Sequence, residues 1–175
     1  MKEHVILVDE EDNQIGSMEK LAAHQGEHLH RAVSILIFNQ QGDWLIHKRA
    51  ETKYHSSGLW SNTCCTHPYI GEDNLTAANR RLNEEMGLTA PLKEIFEFKY
   101  TAKLDKGLTE CEYDHVFVGF TDKKPVINKN EVSDYRYISL EDLEEEINKY
   151  PEKYTTWFKI IFNEIKEKMT EIIKK

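Results

Sequence analysis

The run NTCCTHP, residues 62–68, sets Cys64 and Cys65 three and two positions ahead of His67. Thiols and an imidazole this close can be structural, can share a metal ion, or can leave one thiol free to move protons. More imidazole lies upstream, where HQGEHLH supplies His24, His28 and His30 outside any evident amphipathic stripe. Downstream, TECEYD carries Glu110 and Glu112 two residues apart, a spacing that points both carboxylates to one face of a strand. The same parity continues through Val116, Val118 and Phe120, a face that reads as buried. Two carboxylates at the end of such a face are costly unless paired or metal-bound; a strand end emerging into solvent is the alternative. Imidazoles and carboxylates together would make a closed metal site, and imidazole nitrogen favours Zn²⁺, Mn²⁺ or Fe²⁺ over Mg²⁺. A zinc ribbon is excluded, because the sequence has no C-x-x-C pair.

A second set of charges sits in ANRRLNEEMGL. Arg80–Glu84 and Arg81–Glu85 are i,i+4 pairs, and surface salt bridges are their plain reading. Arg ahead of Glu is nevertheless the less favourable order for such a pair. In an acidic chain, Lys20, Arg49, Lys53, Arg80 and Arg81 stand out as candidates to hold a phosphate group.

The elements that must position these residues follow from periodicity. HVILVD reads as a strand. RAVSILIFN and WLIHKRA flank Gln40–Asp43 and read as a β-hairpin with a glycine-containing loop. GLWSNTCCTHPYIGEDN, rich in Gly, Ser, Asn and Pro, reads as a loop. Leu75, Ala78, Leu82 and Met86 recur at helical spacing, with Asp73 or Asn74 to cap the start and Gly87 past the end. EIFEFKYTAKL and CEYDHVFVGF read as paired strands and SDYRYISL as another, before an acidic helix opened by Ser139 or Leu140. A last helix runs from about Tyr154 to Ile173, with Trp157, Ile161, Ile165, Met169 and Ile172 along one stripe. This predicts a mixed sheet with helices, α+β, layered α/β/α.

The whole chain of 175 residues, 1–175, reads as one domain. A formal net charge of −8 argues against a general nucleic-acid binder. No apolar run approaches a membrane span, and the N-terminus does not read as a signal peptide. Three cysteines, two of them adjacent, do not suit a disulfide framework, so a cytoplasmic protein with reduced thiols is expected.

With Glu72 ahead of its helix, R-x-x-x-E-E-x-G-L resembles a Nudix box, in which a loop–helix–loop presents glutamates to a divalent metal holding a diphosphate. Thr66 replaces the box's first glycine and Arg81 the glutamate after Arg80, which counts against ordinary Nudix hydrolysis. Over nearly its whole length, through EKLAAH, LHRAVSILIFN, KRA, GLWSNTCCTHP, NRRLNEEMG, ECE, EVSDYRY and TTWF, the chain resembles the type I isopentenyl-diphosphate Δ-isomerases. That resemblance implies a Nudix-like α/β/α sandwich and a small-molecule substrate, isopentenyl diphosphate. It implies a double-bond shift through a tertiary carbocation, protonated at C4 and deprotonated at C2. It assigns Cys65 as a thiol on one face of the substrate, Glu112 as the carboxylate on the other, and Tyr100 as the phenol partnering that glutamate. Trp157 would face the cation.

His24, His30, His67, Glu110 and Glu112 would hold Zn²⁺ or Mn²⁺, and Glu85 would help hold Mg²⁺ against the diphosphate. Lys20, Arg49, Lys53 and Arg81 would surround the phosphates. Five residues separate His24 from His30, which leaves His28 as a competing ligand, while LHRAVS favours His30. If residues 64–67 are extended, Cys65 and His67 share one side and Cys64 packs on the other as a small hydrophobe. A reactive Cys65 should be accessible and readily alkylated, particularly if nearby Lys or Arg lowers its pKa. The rival readings are a Nudix-type hydrolase of a nucleoside diphosphate derivative and a silent metal-binding module, either as a monomer or homodimer.

Overall fold

The apolar run from His30 to Phe38 is buried everywhere except at Arg31, and a strand covered on both faces must lie between two other layers. The computed structural model describes residues 3–173, with side chains at 167 and 169–173 outside the described set, and builds the sheet from nine strands. In chain order these are β1 (His4–Val8), β2 (Gln14–Glu19), β3 (His30–Phe38), β4 (Trp44–Arg49), β5 (Trp60–Ser61), β6 (Cys64–Thr66), β7 (Lys93–Lys103), β8 (Thr109–Phe120) and β9 (Val132–Ile138). The helices are α1 (Lys20–Gln25), α2 (Asn74–Met86), α3 (Leu140–Lys149) and α4 (Thr156–Ile173).

β3 organises the sheet. Along one edge it runs parallel to β8, from His30 opposite Glu112 to Phe38 opposite Phe120. Along the other it meets β1, β6 and β4 in turn, all antiparallel. β7 pairs with β8, and β9 with β4. On one face, Val33, Ile35, Ile37 and Phe117 pack under Ala78, Leu82 and Met86 of α2. On the other, Leu36, Phe38, Val116 and Val118 pack under Trp157, Phe158, Ile161 and Ile165 of α4, with Leu143 of α3 beside them. The architecture is thus an α/β/α sandwich around a mixed sheet. Of the stripe predicted for the last helix, Trp157, Ile161 and Ile165 are buried; the side chains of Met169 and Ile172 lie outside the described set.

Local signals explain the helix ends. The Asp73 side chain accepts the Thr76 N–H at 2.7 Å, and Ser139 Oγ accepts the Asp142 N–H at 3.1 Å. Gly87 closes α2 at φ 61°, and a Cβ there would fall 2.8 Å from the Val126 carbonyl oxygen, so the position requires glycine. Two expectations need correction, and two elements had no expectation at all. Residues 58–74 are not all loop, because Trp60–Ser61 pairs with β4 and Cys64–Thr66 with β3, strands too short to show a period. Phe120 is 45% exposed at the frayed end of an otherwise buried face. β2 and α1 carry no periodic signal, and α1 is the element that delivers His24.

Candidate active site

Strand parity gathers the chemistry on one face. Across β6, β3 and β8 the register sets Cys65 opposite Ser34, and His30 opposite Glu112. Residues two apart share a face, so His30 and Ser34, Cys65, and the series Glu110, Glu112, Asp114 all point the same way. Cys64 points to the other side and is wholly buried in the α2 core. Except for His30, which sits behind at full burial, and its rival His28, which is exposed, the catalytic, phosphate-binding and metal-ligand candidates from the sequence line one cavity of about 340 Å³.

At one end, His24, His30, His67 and Glu112 each offer a donor atom within 4.8 Å of the others. His24 Nδ1 lies 2.8 Å from the Lys20 carbonyl, and His30 Nδ1 lies 2.8 Å from the His28 carbonyl. Carbonyls only accept, so each Nδ1 carries a proton, and each Nε2 turns a lone pair inward when its ring is neutral. Both Nε2 atoms are buried without a hydrogen-bond partner, an arrangement costing about 1–3 kcal/mol per atom until something fills it. A nitrogen-rich donor set left open in this way fits Zn²⁺ or Mn²⁺. His67 Nε2 lies 3.0 Å from Glu112 Oε2, and His30 Nε2 lies 3.4 Å from the same oxygen without hydrogen-bond alignment. Glu110 stands just outside the four, 3.8 Å from His24 Nε2. His28 is exposed and gives its carbonyl, not its ring, to the cluster.

The two glutamates are driven apart electrostatically. Burial works against the Glu112 carboxylate, but His30 and His67 outweigh it and hold Glu112 well below the usual range. Burial and the Glu112 charge push Glu110 up to about 7. Tyr100 donates to Glu112 Oε1 at 2.5 Å and lies 3.1 Å from Glu110 Oε1; burial and both carboxylates push its phenol up. The thiol departs from expectation: burial and Asp114 push Cys65 up rather than down, and its Sγ donates to Asn62 Oδ1 at 3.2 Å. It rests as a thiol.

The other end is made of ion pairs. Arg81 meets Glu85 at 2.7 Å, and Glu84 and Glu131 each at 3.1 Å; Lys53 meets Glu131 at 2.5 Å. Glu85 Oε2 and Arg49 Nε are buried without partners, one anionic and one cationic, which fits a Mg²⁺–diphosphate pair. Lys20 lies 3.7 Å from Glu3. Arg80 is taken up by Glu72, at 2.9 Å and 3.0 Å, and by the Tyr69 ring, so it clamps the loop before α2. Trp157 is buried at the cavity wall with the Arg49 guanidinium 5.0 Å from its ring. The sequence reading passed over Ser34, Asn62, His55, Asp114 and Glu131. Of these, Asp114 alone had a usable signal, two positions beyond Glu112 on the same face.

The sandwich and the loop–helix before Gly87 define a class. Residues 28–158 match the NUDIX domain model. A crystal structure of a Deinococcus radiodurans protein shares the fold, with a TM-score of 0.72 at 21% identity over 85% of this chain and 90% of that one. Closer likeness is to an isopentenyl-diphosphate Delta-isomerase 2 of Photorhabdus laumondii, 53% identical over 93% of this chain and 92% of the relative. An isopentenyl-diphosphate Delta-isomerase of Pectobacterium atrosepticum is 50% identical over 92% of this chain and 90% of its own. The chain belongs to the isopentenyl-diphosphate Delta-isomerase family, built on a NUDIX domain.

Proposed function

We propose that this chain interconverts isopentenyl diphosphate and dimethylallyl diphosphate, supplying isoprenoid biosynthesis in the cytoplasm as a monomer or homodimer. The observation that carries the reading is one cavity holding a thiol, a phenol-bonded carboxylate and an orphaned imidazole cluster at one end, with cations at the other. Hydrolysis needs neither the thiol nor the phenol, and Arg81 stands where a Nudix hydrolase has a glutamate. No helix among the described residues is long and apolar enough to cross a membrane.

An unactivated alkene is a weak base, so the acid must be held in place and water kept out. At rest Glu112 is ionised and Cys65 is a thiol, so the thiol proton passes to Glu112 as substrate binds. Glu112, fixed by Tyr100 and His67, then gives it to C4, and the Cys65 thiolate takes one from C2, which restores the resting thiol and carboxylate. The reverse reaction exchanges these roles. Trp157 faces the tertiary carbocation between the two transfers. Lys20, Arg49, Lys53 and Arg81 hold the diphosphate, whose binding energy is remote from the reacting carbons. His24, His30, His67, Glu110 and Glu112 would hold Zn²⁺ or Mn²⁺, fixing the acid, and Glu85 would hold Mg²⁺, neutralising phosphate charge. The test is proton NMR of isopentenyl diphosphate in deuterium oxide beside a panel of nucleoside diphosphates. Dimethylallyl diphosphate bearing deuterium is expected; phosphate release from the panel without isomerisation would overturn the reading.

A further inference from the structure

The thiol has a rung of its own on the sheet, and two of its members have no part in the steps above. Ser34 of β3 stands opposite Cys65 of β6, and Asp114 of β8 lies one diagonal step from Ser34 on the same face. Ser34 Oγ donates its one proton to Asp114 Oδ2 at 2.7 Å, so towards Cys65 Sγ, 3.7 Å away, it can only accept. The thiol proton thus has two acceptors, Ser34 Oγ and Asn62 Oδ1. Asn62 completes the sulfur's surroundings. Its amide nitrogen is turned to the carbonyls of Cys64 at 3.0 Å and Ile35 at 3.4 Å, so its oxygen is what faces the thiol.

Asp114 is hard to explain by folding alone. It is wholly buried, no ion pair reaches it among the described residues, and its Oδ1 has no hydrogen-bond partner. The next residues of β8 on that face, Val116 and Val118, are apolar and pack under α4. A valine at position 114 would avoid the unsatisfied carboxyl oxygen. What valine could not do is hold the Ser34 hydroxyl.

We infer that Ser34 and Asp114 are positioning residues for Cys65: Asp114 fixes the Ser34 hydroxyl, and Ser34 with Asn62 fixes the rotation that aims Sγ at the substrate. This rests on reading Cys65 as the group that takes the C2 proton. A cysteine sulfur turns about one bond among three staggered positions. Proton transfer to or from carbon requires one of them, held near contact distance. The diphosphate is gripped by other side chains at the far end of the cavity, so disturbing this rung lowers kcat and leaves KM.

The experiment compares Ser34→Ala, Ser34→Thr, Asp114→Asn and Cys65→Ala in the metal-loaded enzyme. It measures kcat, KM, bound metal, melting midpoint, and labelling of Cys65 by an epoxide analogue of the substrate. Ser34→Ala is expected to lower kcat by about tenfold with KM held within about twofold, since it removes one of the two acceptors that set the direction of the thiol. Labelling should slow in parallel, bound metal should be unchanged, and Ser34→Thr, which keeps the hydroxyl, should recover most of the rate. Asp114→Asn should resemble Ser34→Ala; if it does not fold, the two Ser34 variants still decide. A folded Ser34→Ala enzyme with undiminished kcat, or equal losses in the alanine and threonine variants, overturns the inference. Cys65→Ala separates this from the thiol reading itself. Turnover without the thiol removes both, whereas an inert Cys65→Ala beside a fully active Ser34→Ala removes this one alone.

Discussion

The two ends of the cavity treat charge in opposite ways. Under α1, the His24 and His30 Nε2 atoms are buried and unclaimed, and Glu112 is held ionised while Glu110 is pushed up to about 7. Beside α2, Arg81 is shared among Glu84, Glu85 and Glu131, and Lys53 closes the set on Glu131. The first end is short of a cation; the second is nearly balanced and partly solvated. Desolvated lone pairs are costly unless filled. The pairs of Lys53 and Arg81 with Glu131, partly exposed on both sides, can exchange partners at lower cost, and among the described residues only Glu85 Oε2 and Arg49 Nε are buried unpartnered beside them. The difference favours a resident ion under α1 and an ion arriving with its diphosphate beside α2.

The largest effects should come from breaking that contrast. Chelation is expected to abolish turnover, with Zn²⁺ or Mn²⁺ retained through dialysis at the imidazole end and Mg²⁺ needed in excess during assay. Full activity in protein shown by elemental analysis to be metal-free would end this account. Glu112→Gln should cut kcat by roughly 10²–10⁴, and added metal should not restore it. Glu110→Gln should mainly weaken metal retention, so added metal recovers part of its loss. Glu85→Gln should instead raise the Mg²⁺ requirement, read from a metal titration at fixed substrate. If excess metal rescues Glu112→Gln as well as Glu110→Gln, the two carboxylates do not divide the work.

The contrast also marks what could be read in advance. Parity put Glu110 and Glu112 on one face and left open whether that end is buried, which the structure shows it is. Helical spacing found α2 with its Gly87 stop and a cap at Asp73 or Asn74, of which Asp73 is the one used. The choice of His30 over His28 came from the family resemblance; the geometry gives its reason, since His28 is exposed beyond the strand. Cys64–Thr66 could not be recognised as a strand, because three residues show no period and its partner is nearly thirty positions away. Glu131 was invisible for a different reason. Its place between Lys53 and Arg81 depends on β9 pairing with β4, a contact no local pattern encodes. The Cys65 thiol was expected to be shifted down by cations, but burial dominates where the side chain meets Ser34 and Asn62.

Acid should separate the ends by where each begins to fail. Burial pushes His47 and His67 down to about 4 and His55 to about 3. An unfolded histidine takes its proton near 6.5, so between there and about 4 these three bind more protons in the unfolded chain and pull stability down as pH drops. Four groups oppose this: Glu110, raised to about 7, and His24, Glu85 and Asp114, also raised, each favour the folded state as pH falls. Glu131 and Glu72 behave otherwise: their cationic partners hold them below 4.5, so their contribution is lost only in stronger acid. Urea unfolding of metal-free protein at several pH values between 7.5 and 4.5 reads the balance of the two sets as a pH slope, and a variant isolates one histidine's share. His47→Asn keeps an N–H for the Asn62 carbonyl and removes one titration, worth roughly 3 kcal/mol across the window. An unchanged pH slope in that variant would count against a buried, neutral His47.

The smallest effect should be at Trp157, which stands between the ends and belongs partly to each. Its ring is buried in the α4 core, the Arg49 guanidinium lies 5.0 Å from its centroid, and the His55 ring meets it edge-on at 5.7 Å. Arg49 therefore ties the ring to the α2 end of the cavity, while the ring borders the space proposed for the carbocation. A desolvated cation–π contact reaches about 2 kcal/mol, and Phe keeps a weaker version of it. Trp157→Phe should accordingly lose only a few-fold in rate, whereas Trp157→Leu should lose more, and more in kcat than in KM. Packing loss alone would act through stability, so both variants need melting midpoints measured beside the kinetics. Folded Phe and Leu variants with equal kcat would leave Trp157 as a wall that holds Arg49 and nothing more.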